Sequence, residues 1–158
     1  MNLRATAVSI LVLGACPLLA HGNERGNATA TVAGKSVTIE YGRPTLKGRD
    51  MLAEAVVGQP WRMGADAATT LHTDAELSFG SLSVAPGDYI LRATKIREGA
   101  WVLNVMRASE KVADVPLTAS TLPASVETFT IELTGSKDKG EFTMKWGTTA
   151  LKAGFTAK

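Results

Sequence analysis

Apolar and polar residues alternate one by one through much of this chain, and this alternation constrains the fold more than any other feature of the sequence. In SVTIEY, for example, Val37, Ile39 and Tyr41 are separated by polar residues. The segments DYILRAT, AWVLNVMR, ETFTIEL and EFTMKW repeat the pattern. Because successive side chains of a strand point to opposite faces of a sheet, each segment predicts a strand with one buried face. Adding ATTLHT and ELSFG gives about eight short strands.

The residues between these segments favour antiparallel connections. APGD at 85–88 has proline and glycine in the order that a type II turn requires, and TGSKDKGEF reads as the loop of a hairpin. Only residues 49–57, RDMLAEAVV, have the composition of a short helix. We therefore expect an all-β fold, an antiparallel β-sandwich with immunoglobulin-like or jelly-roll-like connections and one short helix.

Residues 1–22 have the layout of a secretory signal, with one basic residue followed by an apolar run. Ordinary cleavage after Gly22 competes with cleavage before Cys16, since LGAC at 13–16 resembles a bacterial lipobox in which that thiol is lipidated. A transmembrane anchor is a weaker third alternative, because Pro17 divides the apolar run. We expect an exported protein of the periplasm or cell envelope, with a tether at 23–29 and the β-sandwich domain at 30–158.

Composition excludes several classes of function. The 17 basic and 15 acidic residues are too evenly balanced for electrostatic binding of nucleic acid. A single cysteine excludes an intramolecular disulfide and any multi-cysteine metal site. The sequence has no phosphate-binding glycine loop and no G-x-S-x-G elbow. We expect no cofactor, no nucleic-acid partner, and contact with a membrane only through a lipid at Cys16.

A hydrolase is the weakest functional hypothesis. His72 is the histidine that remains if His21 leaves with the signal, and it would need Asp66 as its acid or base partner, with an arginine stabilising negative charge. His72 and Asp74 lie on the same face of a predicted strand, yet two ligands are too few for a metal site. Asp66 and His72 are therefore weak catalytic candidates, and we expect no bound metal.

Basic residues cluster in two neighbouring segments, YGRPTLKGR at 41–49 and WRMGAD at 61–66. In one interpretation they converge with aromatic residues on a small anionic ligand or a sugar. In the other, the arginines form salt bridges with nearby acidic residues and hold down the long connection between strands. The candidate ligand-binding residues are Tyr41, Arg43, Lys47, Arg49, Trp61, Arg62 and Asp66.

These segments also carry a resemblance to a known family. The runs Y-x-R-P-x-x-K-G-R and W-R-x-G-A-x-x-A-T, followed in order by VAPGDYIL, WVLNV, ETFTIEL and FTMKWGTT, resemble the bacterial domain of unknown function family 2911 over residues 30–150. The resemblance implies an exported or lipid-anchored β-sandwich of the bacterial envelope. It implies no activity.

Together these features predict a non-catalytic envelope module that binds a small anionic or sugar ligand, or a protein partner, through the candidate residues. The first alternative is a purely structural or interaction domain whose arginines are paired internally, so that Arg43→Ala and Arg62→Ala cost stability rather than binding. The second alternative is the hydrolase that uses Asp66 and His72.

Overall fold

The computed structural model describes residues 22–158, and the predicted signal segment with Cys16 lies outside them. The described part contains ten strands and no helix. None of its segments therefore forms a helix that could cross a membrane. The strands are β1 (Arg25–Val32), β2 (Lys35–Gly42), β3 (Pro60–Trp61), β4 (Thr69–Thr73), β5 (Leu77–Phe79), β6 (Leu82–Val84), β7 (Gly87–Arg97), β8 (Ala100–Arg107), β9 (Glu110–Ser136) and β10 (Lys139–Ala157).

All ten strands belong to one antiparallel sheet. Their order is β1-β2-β4-β7-β8-β9-β10-β5-β6, and the short β3 pairs with β7. The hairpin predicted at TGSKDKGEF joins β9 to β10, with Ser136 opposite Lys139. The all-β antiparallel prediction is confirmed, whereas a sandwich of two separate sheets is not.

The sheet curves around one apolar interior. Side chains from β2, β4, β5, β7, β8, β9 and β10 line the same small internal space of about 20 Å³. Tyr41 on β2 reaches across this curve, and its hydroxyl donates to the carbonyl of Ile131 on β9 at 3.2 Å. The amide of Ala33, just after β1, donates to the carbonyl of Lys137 at 2.5 Å. The first two strands therefore pack against the far end of the β9–β10 hairpin.

β9 and β10 are long and bent. At about 3.3 Å per residue, a straight strand as long as β9 would extend well beyond a domain of this size. The bend coincides with register shifts: Thr121 pairs with Thr149 and Val126 with Gly147, so that residues 122–125 of β9 lie opposite Thr148 alone. Extra residues on one strand bend and twist the pair, which explains how a single hairpin follows the curve of the sheet.

The prediction of a short helix at 49–57 is wrong. The amide of Glu54 donates to the carbonyl of Asp50 at 3.0 Å, but this single turn is not continued. The carboxylate of Asp50 accepts a bond from the amide of Ala53 at 3.1 Å. An isolated helix of this length is marginal in water, and Leu52 is the one fully buried side chain of the segment, so packing stabilises no helical face.

Residues 23–29, expected to form a tether, include the first residues of β1. This strand pairs with β2 along its whole length, from Arg25 opposite Gly42 to Val32 opposite Lys35. Its buried positions are Ala28, Ala30 and Val32. Two of these three side chains are small, which makes the alternation inconspicuous in the sequence.

Candidate functional site

Two of the candidate residues lie in an aromatic cluster formed by Tyr41, Trp61, Phe129 and Trp146. The ring of Phe129 is at the centre, fully buried, and its centroid lies 5.5 Å from Tyr41, 5.2 Å from Trp61 and 5.5 Å from Trp146, each contact being edge-to-face. Trp61 also stacks on Trp146 at 5.7 Å. Tyr41 and Trp61 therefore attach the two family-like motifs to the core.

Arg43 is bound to the start of the domain. Its amide donates to the carbonyl of Glu24 at 2.8 Å, and its Nη1 donates to Glu24 Oε1 at 3.2 Å. The side chain of Arg43 is 28% exposed, and its buried Nε has no hydrogen-bond partner among residues 22–158. The pairing is internal to the chain, but the acidic partner is not one that the sequence suggested, because Glu24 becomes a neighbour only when β1 pairs with β2.

Asp66 binds Asn23, the residue that directly precedes Glu24. Its Oδ2 accepts bonds from the backbone amide and the side-chain amide of Asn23, at 2.8 and 3.2 Å. These hydrogen bonds lower the pKa of the Asp66 carboxyl below its ordinary value. Arg62 Nη1 donates to the backbone carbonyl of Asp66 at 3.2 Å, so the arginine stabilises its own loop.

The loop that carries Arg62 and Asp66 has an unusual backbone. Met63 and Asp66 adopt φ of 56° and 62°, in the left-handed region that residues other than glycine seldom occupy. Such a residue costs about 1–3 kcal/mol and persists where its surroundings determine it. Met63 is fully buried, and its carbonyl accepts the hydroxyl of Thr69 at 2.5 Å. Packing and hydrogen bonding therefore fix this loop.

Lys47 and Arg49 lie on the exposed connection after β2. Arg49 Nη2 pairs with Glu54 Oε2 at 2.5 Å, and this bond raises the pKa of the guanidinium. The backbone amide of Lys47 donates to Glu127 Oε1 at 3.3 Å. Within the described part of the chain, no carboxylate lies within ion-pair distance of the Lys47 ammonium. These two cations therefore face solvent rather than an enclosed site.

The seven candidate residues consequently do not form one pocket. Tyr41 and Trp61 belong to the aromatic cluster, whereas Arg43 and Asp66 hold residues 23 and 24. We call the second set, which consists of Arg43, Asp66, Asn23 and Glu24, the N-terminal clamp. Each of the three candidate arginines has an acceptor inside the chain.

His72 lies on β4 between two carboxylates. Its Nδ1 is 2.7 Å from Asp88 Oδ1 and its Nε2 is 3.2 Å from Asp74 Oδ1. The hydrogen bond with Asp88, followed by that with Asp74, raises the pKa of the imidazole. The side chain is 52% exposed, and both ring nitrogens are engaged by residues other than Asp66. The hydrolase dyad stays a prediction, and its two members have other partners in this structure.

A cleft that the sequence analysis did not identify opens beside the β7–β8 turn. Its volume is about 330 Å³, and its lining includes Lys95, Glu98, Trp101, Ser120, Thr121 and Thr149. The ammonium of Lys95 lies 2.8 Å from Glu98 Oε1. The signal was present in the sequence, since Lys95 continues the buried alternation of Tyr89, Leu91 and Ala93 on β7. We call this site the Lys95 cleft.

Comparison with known proteins identifies a family for this chain. No curated protein matches the chain, and no solved structure does. A family model described as "Protein of unknown function (DUF2911)" matches residues 24–155, a span that contains the aromatic cluster, the N-terminal clamp from Glu24 onwards and the Lys95 cleft. This match confirms the resemblance seen in the two motifs, and the chain belongs to the DUF2911 family.

Proposed function

We propose that this chain is a non-catalytic module of the bacterial cell envelope, which acts by binding and uses its family motifs to hold its own fold together. The observation that carries the structural part of this proposal is that the polar side chains of the two motifs find their hydrogen-bond partners inside the chain. Arg43 binds Glu24, Asp66 binds Asn23, and Arg62 binds the carbonyl of its own loop. Groups that are used in this way position the backbone, which is a structural role.

The N-terminal clamp has a clear mechanical role. β1 is at one edge of the sheet, and an edge strand that starts a domain frays unless its first residues are held. Asn23 and Glu24 precede β1 directly and are held by two different loops. The clamp thereby joins the edge strand to the connections that carry both motifs.

The surroundings of His72 suit a surface charge network better than a general base. A general base needs a free nitrogen within reach of the proton that it removes. In this chain the imidazole bridges Asp74 and Asp88 on an exposed strand face, with a raised pKa that favours the protonated, non-basic form. A surface charge network accounts for this arrangement.

The envelope location is supported by the sequence of residues 1–22. An apolar run after a basic residue is typical of export, and Cys16 in LGAC provides an acceptor for lipid in one of the two cleavage alternatives. With a lipid at Cys16 the domain would be held a few residues from the membrane surface, since the clamp begins at Asn23.

The test compares two arginines with different surroundings. Arg43→Ala removes a partly buried side chain from the clamp, and we expect it to lower the free energy of unfolding by about 1 kcal/mol or more, through the lost ion pair and lost packing of the stem. Arg49→Ala removes an exposed arginine with a single surface partner and serves as the matched control, with an unchanged melting temperature. Both are measured by thermal and urea unfolding of the mature protein.

Two results would contradict the proposal. One is a melting temperature of Arg43→Ala equal to that of Arg49→Ala, which would mean that Arg43 does not stabilise the fold. The other is hydrolytic activity in a broad ester, peptide and glycoside screen that is abolished by His72→Ala in a folded variant.

A further inference from the structure

Lys95 occupies a position where a charged side chain is rare. It lies on the core face of β7, in phase with Tyr89, Leu91 and Ala93, and its side chain is 7% exposed. Among residues 22–158 it is the one charged residue that is buried. Lysine is almost never buried without a compensating partner, so this position calls for an explanation.

The partner that the chain supplies lies largely in water. Glu98 Oε1 is 2.8 Å from the Lys95 ammonium, but the Glu98 side chain is 85% exposed. An ammonium has three hydrogen-bond donors, and a carboxylate held from the solvent side leaves room for further acceptors. A buried ammonium is stabilised when such acceptors are provided inside the cleft.

The cleft around Lys95 brings together three parts of the fold. Leu52 contributes from the turns at 49–57, Trp101 from β8, and Ser120, Thr121 and Thr149 from the bend of the β9–β10 hairpin. The hydroxyl groups can each donate and accept a hydrogen bond. Its volume of about 330 Å³ is at the lower end of the range for ligand sites, which suits a single small molecule.

We infer that the Lys95 cleft binds a small carboxylate that also carries hydroxyl groups, of the chemical class of a sugar acid. The carboxylate pairs with the buried ammonium of Lys95, and the hydroxyls bond to Thr121 and Thr149, which lie opposite each other across the hairpin. A lysine presents a compact point charge rather than the planar fork of arginine, and it therefore suits one carboxylate in a narrow site. This inference rests on the proposed function, because it names the ligand of a module that acts by binding.

Glu98 competes with such a ligand for the ammonium. Because its side chain is mostly exposed, the carboxylate is easily released into water, where a surface pair contributes little. Removing its charge takes away both the competing anion and its repulsion of the incoming carboxylate. Glu98→Gln should therefore bind the ligand more tightly than the wild type does.

The experiment is calorimetric titration of the full mature protein with D-glucuronate, with D-glucose and acetate as reference compounds. We expect glucuronate to bind more tightly than either. Lys95→Met should weaken binding about tenfold or more, the usual effect of losing a hydrogen bond to a charged group. Glu98→Gln should tighten it. Lys111→Met is the matched control, because Lys111 also pairs with a carboxylate three residues later but is 56% exposed, and its binding should equal that of the wild type.

Three results would overturn the inference: no binding of glucuronate to the wild type, equal binding to a folded Lys95→Met, or glucose binding as tightly as glucuronate. If Lys95→Met fails to fold, Glu98→Gln decides, since this substitution keeps an acceptor oxygen beside the ammonium and unchanged or weaker binding would refute the competition. A failure of glucuronate to bind would not change the expected destabilisation by Arg43→Ala, which tests the proposed function. Conversely, a His72-dependent hydrolytic activity would refute the proposed function without affecting the binding of glucuronate.

Discussion

Replacing Phe129 by alanine tests whether the aromatic cluster joins the family motifs to the sheet. Phe129 is fully buried and contacts three other aromatic rings. A buried phenylalanine replaced by alanine costs about 3–5 kcal/mol, and edge-to-face pairs add about 0.5–1.5 kcal/mol each beyond their buried area. We therefore expect the upper part of that range, about 4–5 kcal/mol. For a domain of this size the loss corresponds to a fall in melting temperature of about 15–20 °C.

The assay is thermal unfolding together with urea unfolding, which should show a lower midpoint with an unchanged slope. Phe79→Ala is the matched control, since Phe79 is only half-buried and contacts one aromatic ring, that of Phe155, at 5.5 Å. Near-ultraviolet circular dichroism should also change in Phe129→Ala, because Trp61 and Trp146 stack against each other beside the deleted ring. If Phe129→Ala melts no lower than Phe79→Ala, the cluster does not hold the motifs in place.

Three further predictions concern titration and lipid attachment. Asn23 lowers the pKa of Asp66, so this carboxylate stabilises the fold above its unfolded pKa of about 3.9, and the contribution is lost as pH falls through the lower folded value. Thermal scans of Asp66→Asn should accordingly show a smaller loss of melting temperature between about pH 6 and about pH 3 than the wild type shows. Asp88 raises the pKa of His72, so the stabilisation is complete below about pH 6.5 and is lost as pH rises through the folded pKa. An NMR titration should place the His72 midpoint above that value and Asp88→Asn should lower it; an unmoved midpoint would contradict the assigned cause. Finally, a fatty-acid analogue fed to cells separates the two cleavage alternatives: label on the wild type but not on Cys16→Ala would indicate cleavage before Cys16, and an unlabelled wild type would indicate cleavage after Gly22.

The strands with strong alternation were predictable from the sequence. Val37, Ile39 and Tyr41 define β2 without any further information, and the buried members of β7 and β8 do the same. The hairpin between β9 and β10 followed from its loop residues. These features are local, so each segment contains its own signal.

Features that depend on distant partners were not predictable. β9 begins at Glu110, well before the alternating ETFTIEL, because its first half is stabilised by pairing with β8 rather than by its own composition. The turns at 49–57 have helical composition, but the sheet offers that segment contact mainly at Leu52. Whether strands form one curved sheet or two stacked sheets depends likewise on pairings between segments far apart in the chain.

The candidate site shows the same division. The sequence suggested Arg43 and Trp61 as candidate binding residues, but their partners in the structure, Glu24 and Phe129, come from other segments of the chain. The acceptors for Arg43 and Asp66 lie in a segment whose small and polar residues suggested a tether. Lys95 carried a usable signal, a lysine on the buried face of a strand, although its neighbours in the cleft could be known only from the fold.

The bend in the long hairpin has a consequence for motion. Residues 122–125 of β9 lie opposite Thr148 alone, so their amides lack the regular cross-strand ladder and should exchange with deuterium sooner than those of the paired arms on either side. Ser120, Thr121 and Thr149 lie at this junction and also line the Lys95 cleft. A molecule bound between these residues would restrict the motion of the paired parts of the hairpin on both sides of the bend. Its signature would be slower exchange through both halves of the hairpin, including amides that it never touches.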